Sequence, residues 1–229
     1  MQVPIEYEQT DPRWADTMYS SVGNRLQTIG REGCGPTCAA MVVSTLRKRV
    51  TPDQAADWSV WKGYQSANDG TYWAFFAAYL QEFGIACEQV GPPSADRAIA
   101  MLRKDRMVIT SMGKGQWTSG GHFILAYGLS EDGTRVKIHD PNSEAVYREL
   151  GDINRYRSEA KQYWIIPEAW KMEIKALKIK DLDRGKDLTV TAVNLDGYNY
   201  VRLRDLEKLA PVTIGNEGAV PTVKANYKA

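Results

Sequence analysis

Histidine and cysteine are scarce in this chain. Its 229 residues include 2 His and 3 Cys. So small and odd a cysteine number excludes a disulfide framework. No stretch approaches the roughly 18 apolar residues that a membrane-spanning helix needs, so no membrane span is expected. Charge of one sign is also missing: 29 Lys+Arg stand against 28 Asp+Glu, a formal net charge of +1. That leaves no basic surplus for a polyanion, and no nucleic-acid partner is expected. The start, Met1-Gln2-Val3-Pro4-Ile5-Glu6, lacks the basic residues and apolar run of a secretory signal, so synthesis in the cytoplasm is expected. There is no repeat, no low-complexity tract, no His-Glu-x-x-His and no Cys-x-x-Cys pair. Neither a metal nor another cofactor is therefore expected. What remains is ordinary globular material, 43% hydrophobic and 25% charged. Its length suits one large domain, or one of about 170 residues with a small companion.

The composition changes near residue 168. All three Cys, both His and six of the seven Trp precede it, and Pro167 follows the apolar run Tyr163-Trp164-Ile165-Ile166. We place a boundary there, giving domains 1–167 and 168–229. From Trp170 onward 11 Lys+Arg face 8 Asp+Glu, against 18 and 20 before it. In the first domain helices are predicted over 36–48, 52–62, 72–83 and 95–103, from apolar spacing, Pro in first turns, Ser94 as a cap and Gly84 as a stop. Strands are predicted over 107–110, 122–129, 134–140 and 163–166, with a hairpin turn at Ser130-Glu131-Asp132-Gly133. Helices followed by antiparallel strands predict an α+β domain. In the second, the pattern predicts a strand, a turn at Asp196-Gly197, a short strand and a helix to about Leu209, a small α/β unit.

Cys34 lies in Gly-Cys-Gly-Pro-Thr at a predicted helix start. Free N–H groups and the helix dipole stabilise a thiolate there, and the thiolate is the nucleophile. Cys38 and Cys87 read as small core hydrophobes. Of the two histidines, His139 alternates with Arg135 and Lys137 and is expected on the solvent face. Asp140 falls with Val136 and Ile138 on the inward face. If the hairpin pairs Leu129 with about Thr134, His122 comes opposite Asp140 or Pro141. A carboxylate there would fix the imidazole tautomer and stabilise the imidazolium. Asp140 could also simply open the turn Asp140-Pro141-Asn142.

The segments Gly33-Cys34-Gly35-Pro36-Thr37-Cys38-Ala39-Ala40-Met41, Thr118-Ser119-Gly120-Gly121-His122-Phe123 and His139-Asp140-Pro141-Asn142-Ser143, with Gln9-Thr10-Asp11-Pro12-Arg13-Trp14, resemble a known family. It is the papain-like cysteine peptidases related to bacteriocin double-glycine leader peptidases. Within it, the chain resembles the catalytic domains of endolysins from phages of Gram-positive hosts. The resemblance covers about residues 1–167 and implies a papain-like fold, helices packed on an antiparallel sheet. It also implies a Cys nucleophile, a His base and an orienting Asp, which fall on Cys34, His122 and Asp140. An oxyanion Gln would fall on Gln9, within Gln-x-Asp-x-x-Trp but 25 residues before Cys34, or on Gln27, seven before it. The C-terminal stretch resembles the small copper-amine-oxidase N-terminal-like domain, implying docking, wall association or assembly. It contains neither His nor Cys.

The expected activity is hydrolysis of peptide bonds by a thiol hydrolase, a peptidase or amidase. The expected substrate is a stem or cross-bridge peptide of bacterial peptidoglycan, reached at the cell wall after release. Trp117, Gly120 and Gly121 are expected to line the substrate cleft. Processing of secreted leader peptides and acyl transfer to an amine use the same triad and stay open, as does a binding module carrying relic residues.

Overall fold

The computed structural model describes residues 3–67, 69–142 and 150–170, and the backbone of 174–181, 186–195, 198–201, 212–217 and 220–225. Contacts divide the chain into two compact units, Met1–Trp170 and Lys171–Ala229.

The first unit opens with helices α1 (Ile29–Glu32), α2 (Cys34–Leu46), α3 (Pro52–Trp61) and α4 (Ala74–Gln81). Strand β1 (Glu88–Val90) and helix α5 (Ala95–Leu102) follow. Then come β2 (Arg106–Met112), β3 (His122–Leu129), β4 (Arg135–His139), β5 (Leu150–Asp152), α6 (Ile153–Glu159) and β6 (Ala160–Ala169). The strands form one antiparallel sheet in the order β1-β6-β2-β3-β4-β5. This is the α+β arrangement expected from the order of the patterns.

Strand parity sorts the core into two layers. Ile109, Phe123, Leu125, Trp164 and Ile166 meet α2 and α4 on one face. Val108, Ile124, Ala126, Tyr163 and Ile165 meet α5 and Tyr156 of α6 on the other. α2 is the buried centre: every residue from Gly35 to Val43 is buried. A helix apolar all round in this way belongs inside a protein. α3 starts at a capping box in which Thr51 and Gln54 satisfy each other's backbone N–H groups. After α4 ends at Gln81, Gly84 turns the chain away with a φ of +63° that costs no Cβ penalty.

Two local expectations are corrected, and one helix is not predicted by the sequence pattern. α2 begins at Cys34, two residues before Pro36, so the cysteine belongs to the first helical turn. Pro167 lies inside β6 and does not end it. It falls where β2 and β6 shift register, between the pairs Val108–Ile165 and Arg106–Ala169, so no ladder N–H is lost. α6 has no long apolar stripe to reveal it. It is started by Asp152, whose side chain accepts the N–H groups of Asn154 and Arg155, each at 2.9 Å.

In the second unit, β7 (Ile174–Asp181), β8 (Lys186–Leu195) and β9 (Tyr198–Val201) form an antiparallel sheet. β10 (Val212–Glu217) and β11 (Val220–Ala225) form a hairpin. The predicted turn at Asp196-Gly197 and the helix to Leu209 lie outside the described residues, while the strands flanking that turn pair through Leu195 and Tyr198. No described helix is long and apolar enough to cross a membrane.

Candidate active site

Packing fixes the cysteine's setting. A Cβ on Gly33 would lie 2.6 Å from the Cγ2 and carbonyl oxygen of Ile29. One on Gly35 would lie 2.7 Å from Oγ1 of Thr71. Glycine on both sides of Cys34 lets α1 and the Thr71 segment close directly on the helix start. Thr71 is held in turn by the buried hydroxyl of Tyr19, 2.7 Å away, which also reaches Ser59 at 2.9 Å. Burial raises the Tyr19 phenol far above its ordinary range, so it stays a neutral fastener. Nothing in the sequence spacing pointed to Tyr19.

His122 opens β3 and Asp140 follows β4. The His122 Nε2–H donates to Oδ1 of Asp140 at 2.6 Å, with both side chains buried. The same carboxylate oxygen accepts the backbone N–H of Asn142 at 2.9 Å. Asp140 thus opens the turn and holds the imidazole at once, and the two roles weighed from the sequence do not compete. The hairpin register differs from the expected one. Leu129 pairs with Val136, a bulge lies between Ala126 and Gly128, and Leu125 then pairs with His139. The slip of one to two residues leaves His122 and Asp140 neighbours because their side chains close the diagonal.

The Cys34 thiol lies near enough to the His122 ring to help raise its pKa. With Nε2 committed to Asp140, Nδ1 is the ring nitrogen left to exchange a proton with a nucleophile. Burial by itself would lower the His122 pKa. The bond to Asp140, with the nearby Cys34, outweighs it and raises the value to about 10. Burial pushes the Cys38 thiol up, and the Cys87 thiol up to about 12, in keeping with core roles for both.

The two glutamines separate. Gln9 is buried, its backbone N–H bonds the carbonyl of Pro141 at 2.8 Å, and its Nε2 donates to the carbonyl of Gly30 at 2.9 Å. It therefore spans from the residue after Asp140 to the helix before Cys34. Gln27 accepts from Ser20 Oγ at 2.6 Å and donates to the carbonyl of Ala67 at 3.2 Å, fastening two loops together.

Two expectations fail. Trp117 is 6% exposed and packs in the core layer with Ile138 and Tyr156, edge-on to the latter at 6.4 Å. It is a core residue and not a cleft wall, because the chain turns inward between Gly115 and Gly121. A Cβ on Gly151 would reach within 2.3 Å of its ring. Gly151→Ala is therefore expected to destabilise the domain by about 1–3 kcal/mol, measured by denaturant unfolding, while Cys34 alkylation proceeds as in wild type. His139 is 5% exposed, not solvent-facing: it stacks on Tyr127 at 4.5 Å with Nδ1 3.3 Å from Oε1 of Glu6. Charge alternation on β4 failed to anticipate that the N-terminal segment covers this end of the face. Gly120 and Gly121 are exposed, with open space where a Cβ would stand.

A thiol in a first helical turn, an imidazole against it and a buried carboxylate behind are the parts of a cysteine peptidase. The Peptidase_C39 like family matches residues 7–167, more than half of the sequence, and the chain belongs to that family. It is a cysteine peptidase with the papain-like α+β fold. Among solved structures, it is similar to the peptidase domain of Streptococcus ComA, a bifunctional ABC transporter involved in a quorum-sensing pathway. The identity is 16% and the TM-score 0.43, over 60% of this chain and 93% of that one. No curated protein matches the sequence.

Proposed function

We propose that Cys34 is the nucleophile, His122 its base and Asp140 the group that orients the imidazole. In this reading the enzyme hydrolyses stem or cross-bridge peptides of peptidoglycan. The 2.6 Å bond from His122 to Asp140, with Cys34 close enough to act on the same ring, carries the catalytic assignment. The thiolate attacks the amide carbonyl, the imidazolium gives its proton to the leaving amine, and water releases the acyl group. The oxyanion is met by N–H groups at the α2 start and by the side-chain amide of Gln9, which has a second N–H beyond the one spent on Gly30. The wall substrate is supported by the motif set around Gln9, Cys34, His122 and Asp140. The enzyme would act at the cell wall after release, with Lys171–Ala229 as its docking or assembly unit.

Digestion of defined peptidoglycan fragments, with mass assignment of the products, tests this. New amino termini at one bond are expected. Cuts confined to a secreted peptide precursor would move the substrate to leader processing, and incorporation of an added amine would make the reaction acyl transfer. Reactivity gives a second check. Iodoacetamide at neutral pH is expected to modify Cys34 and spare Cys38 and Cys87, whose thiols burial holds protonated. Even labelling of all three would count against an activated Cys34.

A further inference from the structure

The segment Gly70–Trp73 runs beside the proposed nucleophile. The Gly70 N–H donates to Oε2 of Glu32 at 3.2 Å, and Thr71 abuts Gly35. At its far end the Trp73 ring meets Trp164 edge-on at 5.9 Å. Trp164 packs on Phe123, the residue after His122, also at 5.9 Å. One short segment therefore runs from beside Gly35, next to the cysteine, to Trp164, which packs on the histidine's neighbour. Its two aromatic side chains leave much of their surface in water: Tyr72 is 52% exposed and Trp73 43%. A single exposed apolar side chain needs no explanation, and Trp61, under the Lys62 ammonium at 4.1 Å, is such a case. Two consecutive large aromatics directly after the residue that packs on Gly35 are a different matter. Their backbone is pinned by the Tyr72 N–H bond to Tyr64 and by the Gln65–Thr71 bridge, so the rings are presented from a fixed support.

We infer that Tyr72 and Trp73 are the specificity-determining residues of this site, forming an aromatic wall that takes a bulky apolar side chain of a peptide next to the bond attacked by Cys34. This rests on the thiol-peptidase reading and not on the wall substrate. Aromatic faces gain most from apolar and aromatic partners. The two exposed glycines before His122, with open space above them, leave the approach to the base unobstructed for the peptide backbone.

Peptidyl acyloxymethyl ketones test the inference. They carry Ala, Leu, Phe or Trp at each of the positions next to the reactive carbonyl, and intact mass reads the rate of Cys34 alkylation in the full chain. Iodoacetamide, which needs no subsite, is run beside them. At one position Phe or Trp is expected to react at least about tenfold faster than Ala. Trp73→Ala and Tyr72→Ala each reduce that ratio and the double variant brings it near one, while the iodoacetamide rate stays within about twofold of wild type. Unchanged iodoacetamide labelling also certifies that the variants are folded at the site. A flat ratio in wild type, or one that survives both substitutions, overturns the aromatic wall and leaves the peptidase standing. Failure of Cys34 to react with either reagent overturns both.

Discussion

Cys34→Ala is expected to lower turnover of the scissile peptide by roughly 10⁴-fold or more, because in the proposed mechanism the acyl intermediate forms on its sulfur. The fold should hardly register the change. Cys34 is only partly buried, occupies the first helical turn of α2 and is flanked by Gly33 and Gly35. Alanine is the best helix former, so the unfolding free energy is expected to move by no more than about 1 kcal/mol. The pairing of lost activity with retained stability separates catalysis from packing. Cys38→Ala should behave in the opposite sense, losing stability from a buried helix centre and keeping activity. His122→Ala is expected to cost about as much as Cys34→Ala, and the double variant no more than either alone, since the two act as one unit. A Cys34→Ala protein that still cuts at the wild-type rate would remove the cysteine from the mechanism.

The candidate site was largely legible because its signals are local. Glycine on both sides of Cys34 marked a helix start that packing later explained, through contacts with Ile29 and Thr71. A four-residue turn tied His122 to Asp140, and that proximity tolerated a register error, since side chains on adjacent strands reach across a slip of one or two residues. What stayed hidden depends on distant chain segments. His139 alternates with Arg135 and Lys137 as a surface residue would. It is buried because Glu6 and the aromatic ring of Tyr127 close over it. Trp117 sits among glycines like a cleft residue, yet its ring fills the space left by Gly151 in β5. The Gln-x-Asp-x-x-Trp motif favours Gln9 over Gln27, although the seven-residue gap to Cys34 fits Gln27 better. The fold brings Gln9 to Pro141 and Gly30 by returning the N-terminal segment across the end of β4.

Asp140→Asn is expected to cost roughly 10⁴-fold in kcat, and its more diagnostic effect is on pH dependence. In the proposed mechanism the His122 imidazolium, its pKa raised to about 10, protonates the leaving amine. In wild type, activity should therefore fall on the alkaline side only as pH passes about 10. Asparagine keeps the shape and removes the charge, and burial of the ring then acts with less opposition. The alkaline limb should move toward neutrality by roughly 1–3 pH units. Stability follows with the same sign. The folded histidine binds its proton more tightly than an unfolded one near 6.5, so its contribution is fully present below about pH 6.5 and is lost as pH rises toward 10. The stability gap between wild type and Asp140→Asn should accordingly be widest in acid to neutral solution and narrow above pH 10. Asn142 also loses its carboxylate acceptor, but a neutral amide oxygen can still take that N–H, so the turn is expected to survive. Coincident alkaline limbs in the two proteins, read from kcat/KM profiles, would show that Asp140 is not the charge that holds the proton on His122.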